Sequence, residues 1–184
     1  MRAETAANVS ALNAFLAGVE RRALRIAEIV TRDRDEALDL VQDAMISMAR
    51  HYAARPQAEW PPLFHRILGN RIRDWQRRQA VRRRVLFWRS GDPDDEGEDP
   101  IERIADPRQP GGAELLQREQ SLRVLETALR ELPARQREAF VLRMWEGLSV
   151  EDSARAMGCS EGSVKTHLFR ALAALRTKLE GVWP

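Results

Sequence analysis

The stretch Gly147-Leu-Ser-Val-Glu-Asp-Ser-Ala-Arg-Ala-Met-Gly-Cys-Ser-Glu-Gly-Ser-Val-Lys-Thr-His-Leu-Phe-Arg-Ala-Leu172 reads as two short helices broken at Gly158. Ser149 is placed to cap a helix whose third position is Asp152, so that its hydroxyl satisfies an amide with no partner inside the helix. Gly158 can take the left-handed conformation that ends a helix without steric cost. Ser160 then caps a second helix, in which Val164, Leu168, Ala171, Leu172 and Leu175 recur at three- and four-residue spacing and form one apolar face. Lys165, Thr166, Phe169 and Arg170 fall on or near the other face. The pattern predicts a helix-turn-helix with a polar, cationic reading face, whose first helix braces the second while the second enters the DNA major groove. An ordinary helical hairpin shares much of this pattern. The rest of the chain has to say which DNA is read, and for what purpose.

Working outward, 184 residues suffice for one ordinary domain or two small ones. Hydrophobic residues make up 43% and charged residues 32%, a composition that buries a core and excludes wholesale disorder. Ala, Leu, Arg and Glu dominate, and no alternating segment bounded by turn residues reads as a strand, so an all-α fold is expected. The net charge is only +2, but the cations are almost all arginine, with Lys165 and Lys178 the only lysines. Arginine forks suit phosphate and guanine; a GC-rich genome gives the same bias. The single cysteine, Cys159, excludes a disulfide framework and fits a reducing cytoplasm. No apolar run approaches the roughly 18 residues that span a bilayer, so no membrane insertion and a cytoplasmic location are expected.

Three helices are predicted ahead of a linker. From Ser10 to Thr31, Leu12, Phe15, Leu16, Val19, Ala23, Ile26, Ala27 and Val30 repeat with helical spacing. After the charged turn Arg32 to Asp35, a helix from Glu36 to about Tyr52 buries Leu40, Val41, Ala44, Met45 and Met48. Glu36, Asp39, Gln42 and Asp43 stay outside that stripe, as a solvated face or as a docking patch for a basic partner. Trp60-Pro61-Pro62 reads as a loop, followed by a third helix from about Leu63 to Trp88. In that helix Arg66, Arg71, Arg73, Arg77, Arg78, Arg82, Arg83 and Arg84 surround a lone Asp74 and interleave with Trp75, Phe87 and Trp88. Guanidinium groups hold phosphates and rings stack on exposed bases, so nucleic acid is the fitting partner. An anionic membrane surface fits less well, because Gly69 and Asn70 break the aliphatic face.

Residues 90–112 then invert the charge, with Asp92, Asp94, Asp95, Glu96, Glu98 and Asp99 among prolines and glycines, the composition of a flexible acidic linker. Beyond it a helix from Ala113 to Glu131, a break at Leu132-Pro133 and a helix from Ala134 to Trp145 lead into the helix-turn-helix. Phe140, Val141 and Met144 are expected to be buried in that last helix. No catalytic constellation is present. His51, His65 and His167 are scattered, without the spacing of a metal site, and neither a phosphate-binding loop nor a nucleophile elbow occurs. Neither a cofactor, a metal nor an enzymatic activity is expected.

Three segments in order carry a resemblance. Glu36-Ala-Leu-Asp-Leu-Val-Gln-Asp-Ala44, Phe64-His-Arg-Ile-Leu-Gly-Asn70 with Asp74 and Arg77-Arg78, and Leu132-Pro-Ala-Arg-Gln-Arg-Glu-Ala-Phe140 running on through Glu146-Gly-Leu-Ser149 and Gly162-Ser-Val-Lys165 are similar to bacterial RNA polymerase sigma factors of the extracytoplasmic-function group. The resemblance implies sigma region 2 over residues 1–89, a linker over 90–112 and sigma region 4 over 113–184. It implies that Asp39, Gln42 and Asp43 dock on the clamp of the largest core polymerase subunit, with further core contacts from the C-terminal domain. The loop from Tyr52 to Trp60 would capture a flipped base. Asn70, Arg73, Trp75, Arg77 and Arg78 would hold the melted downstream promoter element, and Ser163, Lys165, Thr166, Phe169 and Arg170 would read the upstream one. An anti-sigma factor is a further implied partner. Ser153 stands where the family usually has a buried aliphatic residue. A free-standing operator-binding regulator is the alternative, though it leaves the arginine-rich helix and the acidic face without a use.

Overall fold

The computed structural model describes residues 2–90 and 112–180, with side chains over 8–84 and 122–180. Among these residues the chain is all-α, in two small helical domains. The acidic linker expected over 90–112 lies, apart from its two end residues, outside the described residues.

The N-terminal domain consists of α1 (Arg2–Thr31), α2 (Arg34–His51) and α3 (Trp60–Ser90). A connection of two residues separates α1 from α2. Arg32 takes a left-handed φ of 58°, and Asp33 caps α2 by accepting the amides of Asp35 and Glu36 at 2.8 and 3.0 Å. The expected charged turn is therefore shorter than its four charges implied, because Arg34 and Asp35 already belong to the helix. One continuous core joins the three helices through Leu16 and Val19 of α1, Val41 and Met48 of α2, and Phe64 and Leu68 of α3. Phe15 meets Phe64 edge-on, with ring centroids 6.1 Å apart, and lies 5.9 Å from Trp60.

Trp60-Pro61-Pro62 is not a loop. A 3₁₀ turn at Gln57–Glu59 runs straight into α3, and both prolines sit in its first turn, where backbone N–H groups have no intrahelical acceptor to lose. Starting the helix this early buries Trp60, which is 2% exposed.

The C-terminal domain comprises α4 (Gly112–Glu131), α5 (Ala134–Phe140), a π turn (Val141–Trp145), α6 (Val150–Met157) and α7 (Glu161–Leu179). The helix expected over 134–145 is thus two geometries. In the π turn the Glu146 amide reaches back five residues to the Val141 carbonyl at 3.0 Å. The wider turn shifts the register of its last residues, so Met144 is 58% exposed, against the buried position that uniform α spacing predicts, while Leu142 is 3% exposed. Leu172, expected on the apolar face of α7, lies at its margin and is 41% exposed. Val164, Ala171 and Leu175 are buried as expected. The domain has two core clusters: one around Leu142, Met157 and Val164, the other around Leu129, Leu132, Ala171 and Leu175 and completed by Ile29 of α1.

Candidate nucleic-acid interface

The helix-turn-helix forms by the local devices written in its sequence. Ser149 Oγ accepts the Asp152 amide at 2.9 Å and donates to the Asp152 carboxylate at 2.7 Å. That donated hydrogen bond, ahead of the opposing effect of partial burial and reinforced by Arg155, holds the Asp152 carboxyl below its ordinary pKa. Gly158 ends α6 with φ 63° and ψ 43°. Ser160 Oγ accepts the Ser163 amide at 3.2 Å and starts α7. The brace also holds a fault: Ser153 is fully buried and its hydroxyl has no hydrogen-bond partner among the described residues.

On α7, Lys165, Thr166, Phe169 and Arg170 are exposed together. Phe169 is 73% exposed, a large apolar side chain left in water. Thr166 Oγ1 is turned back to the Gly162 carbonyl at 2.9 Å. Ser163 is half-buried and shares a hydrogen bond with Ser160 at 2.9 Å, which makes it part of the cap. Lys165 and Arg170 form no ion pair with any described residue, so the cationic character of this face is directed outward.

On α2, Asp39, Gln42 and Asp43 are exposed at three- and four-residue spacing. Ile46, one turn further along the same face, is 48% exposed. Sequence reasoning passed over it, although its offset from Asp39, Gln42 and Asp43 already placed it on their side of the helix.

The five residues of α3 expected to meet nucleic acid do not share one face. Asn70, Arg73 and Arg77 lie on one stripe, and Arg78 beside it. Arg77 pairs with Asp74 at 3.1 Å. Trp75 stands apart: its ring packs on the N-terminal core, and its Nε1 donates to Glu36 at 2.9 Å, tying α3 to α2. Arg73 donates to Asn70 at 2.6 Å and pairs at 2.7 Å with Glu138 from α5 of the other domain.

That last contact belongs to a set that joins the domains. Glu138 also accepts from Arg135 at 3.1 Å. Glu146, with a side chain 3% exposed, meets His65 at 3.3 Å and Arg22 at 3.2 Å, and Arg25 pairs with Glu126. Burial alone raises the Glu146 pKa; the hydrogen bond and charge of His65, with those of Arg22, outweigh it and hold the carboxyl below its ordinary value. Between these contacts lies a largely apolar cavity of about 130 Å³, walled by Ile26, Ile29 and Ile72 on one side and Val141 and Leu142 on the other. Sequence reasoning did not bring His65, Glu138 and Glu146 together, since partners so distant in the chain leave no periodic trace. Gly69 was the available hint: a glycine inside a helix costs about 0.5–1 kcal/mol relative to alanine, and here it lies under Glu138.

A two-domain helical fold with a helix-turn-helix of this geometry is that of a DNA-binding protein. The family model for Sigma-70, region 4 matches residues 122–175. The RNA polymerase sigma-E factor of Streptomyces antibioticus is 32% identical over 157 residues, which cover 85% of this chain and 78% of that protein. The ECF RNA polymerase sigma factor SigM of Mycobacterium tuberculosis is 31% identical over 156 residues, covering 84% and 70%. Among solved structures, the sigma factor RpoE in complex with the anti-sigma factor NepR from Bartonella quintana matches with a TM-score of 0.59 at 28% identity, over 92% of this chain and 96% of that one. The chain belongs to the extracytoplasmic-function group of RNA polymerase sigma factors. No described helix is long and apolar enough to cross a membrane.

Proposed function

We propose that the chain joins core RNA polymerase in the cytoplasm and directs initiation at promoters, with residues 1–89 acting as region 2, 90–112 as the tether and 113–184 as region 4. The observation that carries this reading is the pairing, on one sigma-family chain, of an exposed acidic face on α2 with an outward cationic face on α7. Asp39, Gln42 and Asp43 dock on the polymerase clamp, and the exposed Ile46 gives that contact an apolar centre of the kind interfaces use. Asn70, Arg73, Arg77 and Arg78 hold the opened downstream element, while Trp75 keeps α3 in place from behind. The loop between Tyr52 and Trp60 receives a flipped base, whose lost stacking of a few kcal/mol the pocket has to offset. Lys165, Phe169 and Arg170 read the upstream element as duplex, positioned by the Ser160–Ser163 cap and by Thr166. Polymerase performs the chemistry. The relative solved with NepR supports an anti-sigma factor as a further partner.

The test is transcription by purified core RNA polymerase from a promoter library, with and without the full chain. Specific starts that depend on the chain are expected. The double variant Asp39→Arg/Asp43→Arg should lose those starts while duplex DNA binding by the chain persists. Operator binding with no core-dependent transcript would instead identify a free-standing regulator.

A further inference from the structure

We propose that the cavity between α1, α3 and α5 is a binding site for a small carboxylic acid with a compact apolar body, the size of a single aromatic ring, whose carboxylate is held by Arg137. The cavity measures about 130 Å³ and is partly open to solvent. Packed protein interiors keep few voids larger than a water molecule. An apolar cavity of about 150 Å³ stays dry and accepts benzene, so a space of this size and lining has a class of occupant defined by chemistry alone.

The walls set the body of that occupant. Ile26 and Ile29 on α1, Ile72 on α3, and Val141 and Leu142 in the π turn present aliphatic side chains to the cavity. Ile29, Ile72, Val141 and Leu142 are buried, so their own packing holds this surface in place. Such walls offer no partner to a hydroxyl or an amide, and a sugar or nucleoside seated here would leave its polar groups unsatisfied. A compact hydrocarbon body meets no such penalty.

The charges set the head group. Arg73, Arg135 and Arg137 also line the cavity, against a single lining carboxylate, Glu138. That carboxylate is already engaged at both oxygens: Oε1 accepts from Arg73 at 2.7 Å and Oε2 from Arg135 at 3.1 Å. Arg137 pairs with no carboxylate among the described residues. Its Nη1 donates to the Arg130 carbonyl at 3.2 Å, and its other donors have no described partner. Burial disfavours the charged guanidinium and lowers the Arg137 pKa, which the charge of neighbouring Glu138 opposes only in part. An incoming carboxylate supplies the missing anion and accepts charge-assisted hydrogen bonds from the guanidinium. His65, the remaining cationic candidate, is matched by Glu146 at 3.3 Å. Arg137 is therefore the group that selects the sign of the ligand, and an amine of the same shape is repelled by all three arginines.

The experiment titrates the full chain, labelled at its isoleucine methyl groups, with benzoate, benzyl alcohol and benzylamine at neutral pH and follows the methyl signals by NMR. Ile29 and Ile72 report on the cavity, and Ile46, exposed on α2, reports adsorption elsewhere. Benzoate should shift Ile29 and Ile72 saturably, with a Kd of about 1 mM as befits a ligand of so few atoms, and leave Ile46 in place. Benzyl alcohol should bind about tenfold more weakly, the loss expected for one charge-assisted contact, and benzylamine should not bind. Arg137→Gln keeps a donor for the Arg130 carbonyl but removes the charge; it should bring benzoate down to the affinity of benzyl alcohol. Absence of a saturable shift at Ile29 and Ile72, or an equal shift at Ile46, overturns the site. Benzyl alcohol or benzylamine binding as tightly as benzoate, or benzoate binding undiminished in Arg137→Gln, overturns the assignment of a carboxylate on Arg137. The three-ligand comparison on wild type needs no substitution, so it decides the matter even where Arg137→Gln fails to fold.

Discussion

Among the described residues, the N-terminal domain closes one continuous core of fourteen buried residues, whereas the C-terminal domain contributes seven to one cluster and five to another, the second completed by Ile29 from α1. The difference follows from helix length. Three long helices bury continuous stripes against one another, while in the C-terminal domain α5 and α6, of seven and eight residues, come between the longer α4 and α7 and leave two small cores. A unit of roughly 70 residues buries a smaller fraction of its surface and is marginal alone. The C-terminal domain also keeps a π turn and an unpartnered buried hydroxyl. The first domain packs as one unit; the second leans on it through Ile29.

The largest effect that would sharpen this contrast is expected from Phe64→Ala. Phe64 is fully buried at the centre of the continuous core, so its truncation should cost about 3–5 kcal/mol, measured by urea unfolding followed by circular dichroism. A loss under 1 kcal/mol would mean the N-terminal domain is no better packed than the C-terminal one. Next comes Ile29→Ala, at about 2 kcal/mol, the low end for such a truncation at a small core. Although Ile29 belongs to α1, hydrogen exchange should quicken in α4 and α7 more than in α2; equal quickening everywhere would merge the two domains into one cooperative unit.

Ser153→Ala should act in the opposite direction. Removing a buried hydroxyl that has no partner is expected to stabilise the C-terminal domain by about 1 kcal/mol, seen as a rise in Tm. A fall would show that the hydroxyl is hydrogen-bonded in solution. The smallest effect is on pH. Because the folded Glu146 has a lowered pKa, its contribution to the domain contact is complete above the ordinary carboxylate value of about 4.3 and is lost as the pH falls through the lower folded value. Scattering should therefore report wild-type closure unchanged from neutrality to about pH 5 and loosening only in stronger acid, while Glu146→Gln shows no such step from this group.

Much of the helix-turn-helix was legible in the sequence. Ser149, Gly158 and Ser160 act on backbone groups within a few residues, and such devices work almost regardless of what lies beyond them. The exposure of Lys165, Phe169 and Arg170 follows from the same periodicity that buries Val164 and Ala171. Where the reading failed, a competing local geometry or a distant neighbour decided. Pro61 and Pro62 look like breakers until the 3₁₀ turn before them places both in a first helical turn. Met144 looks buried until the π turn shifts it outward. For Trp75 the periodicity gave no sign that Glu36, 39 residues earlier, accepts its indole N–H.

The sequence by itself determined the all-α class, the helix-turn-helix with its caps, the acidic face of α2 and the charge of α3, because each depends on neighbours within about one helical turn. Only the tertiary structure decided that Arg73 meets Glu138, that Glu146 is buried against His65 and Arg22, and that Ile29 finishes a core it does not belong to in sequence. Those pairings join residues tens of positions apart, chosen by how two bundles pack. Packing depends on the summed shape of both surfaces, which no local pattern encodes.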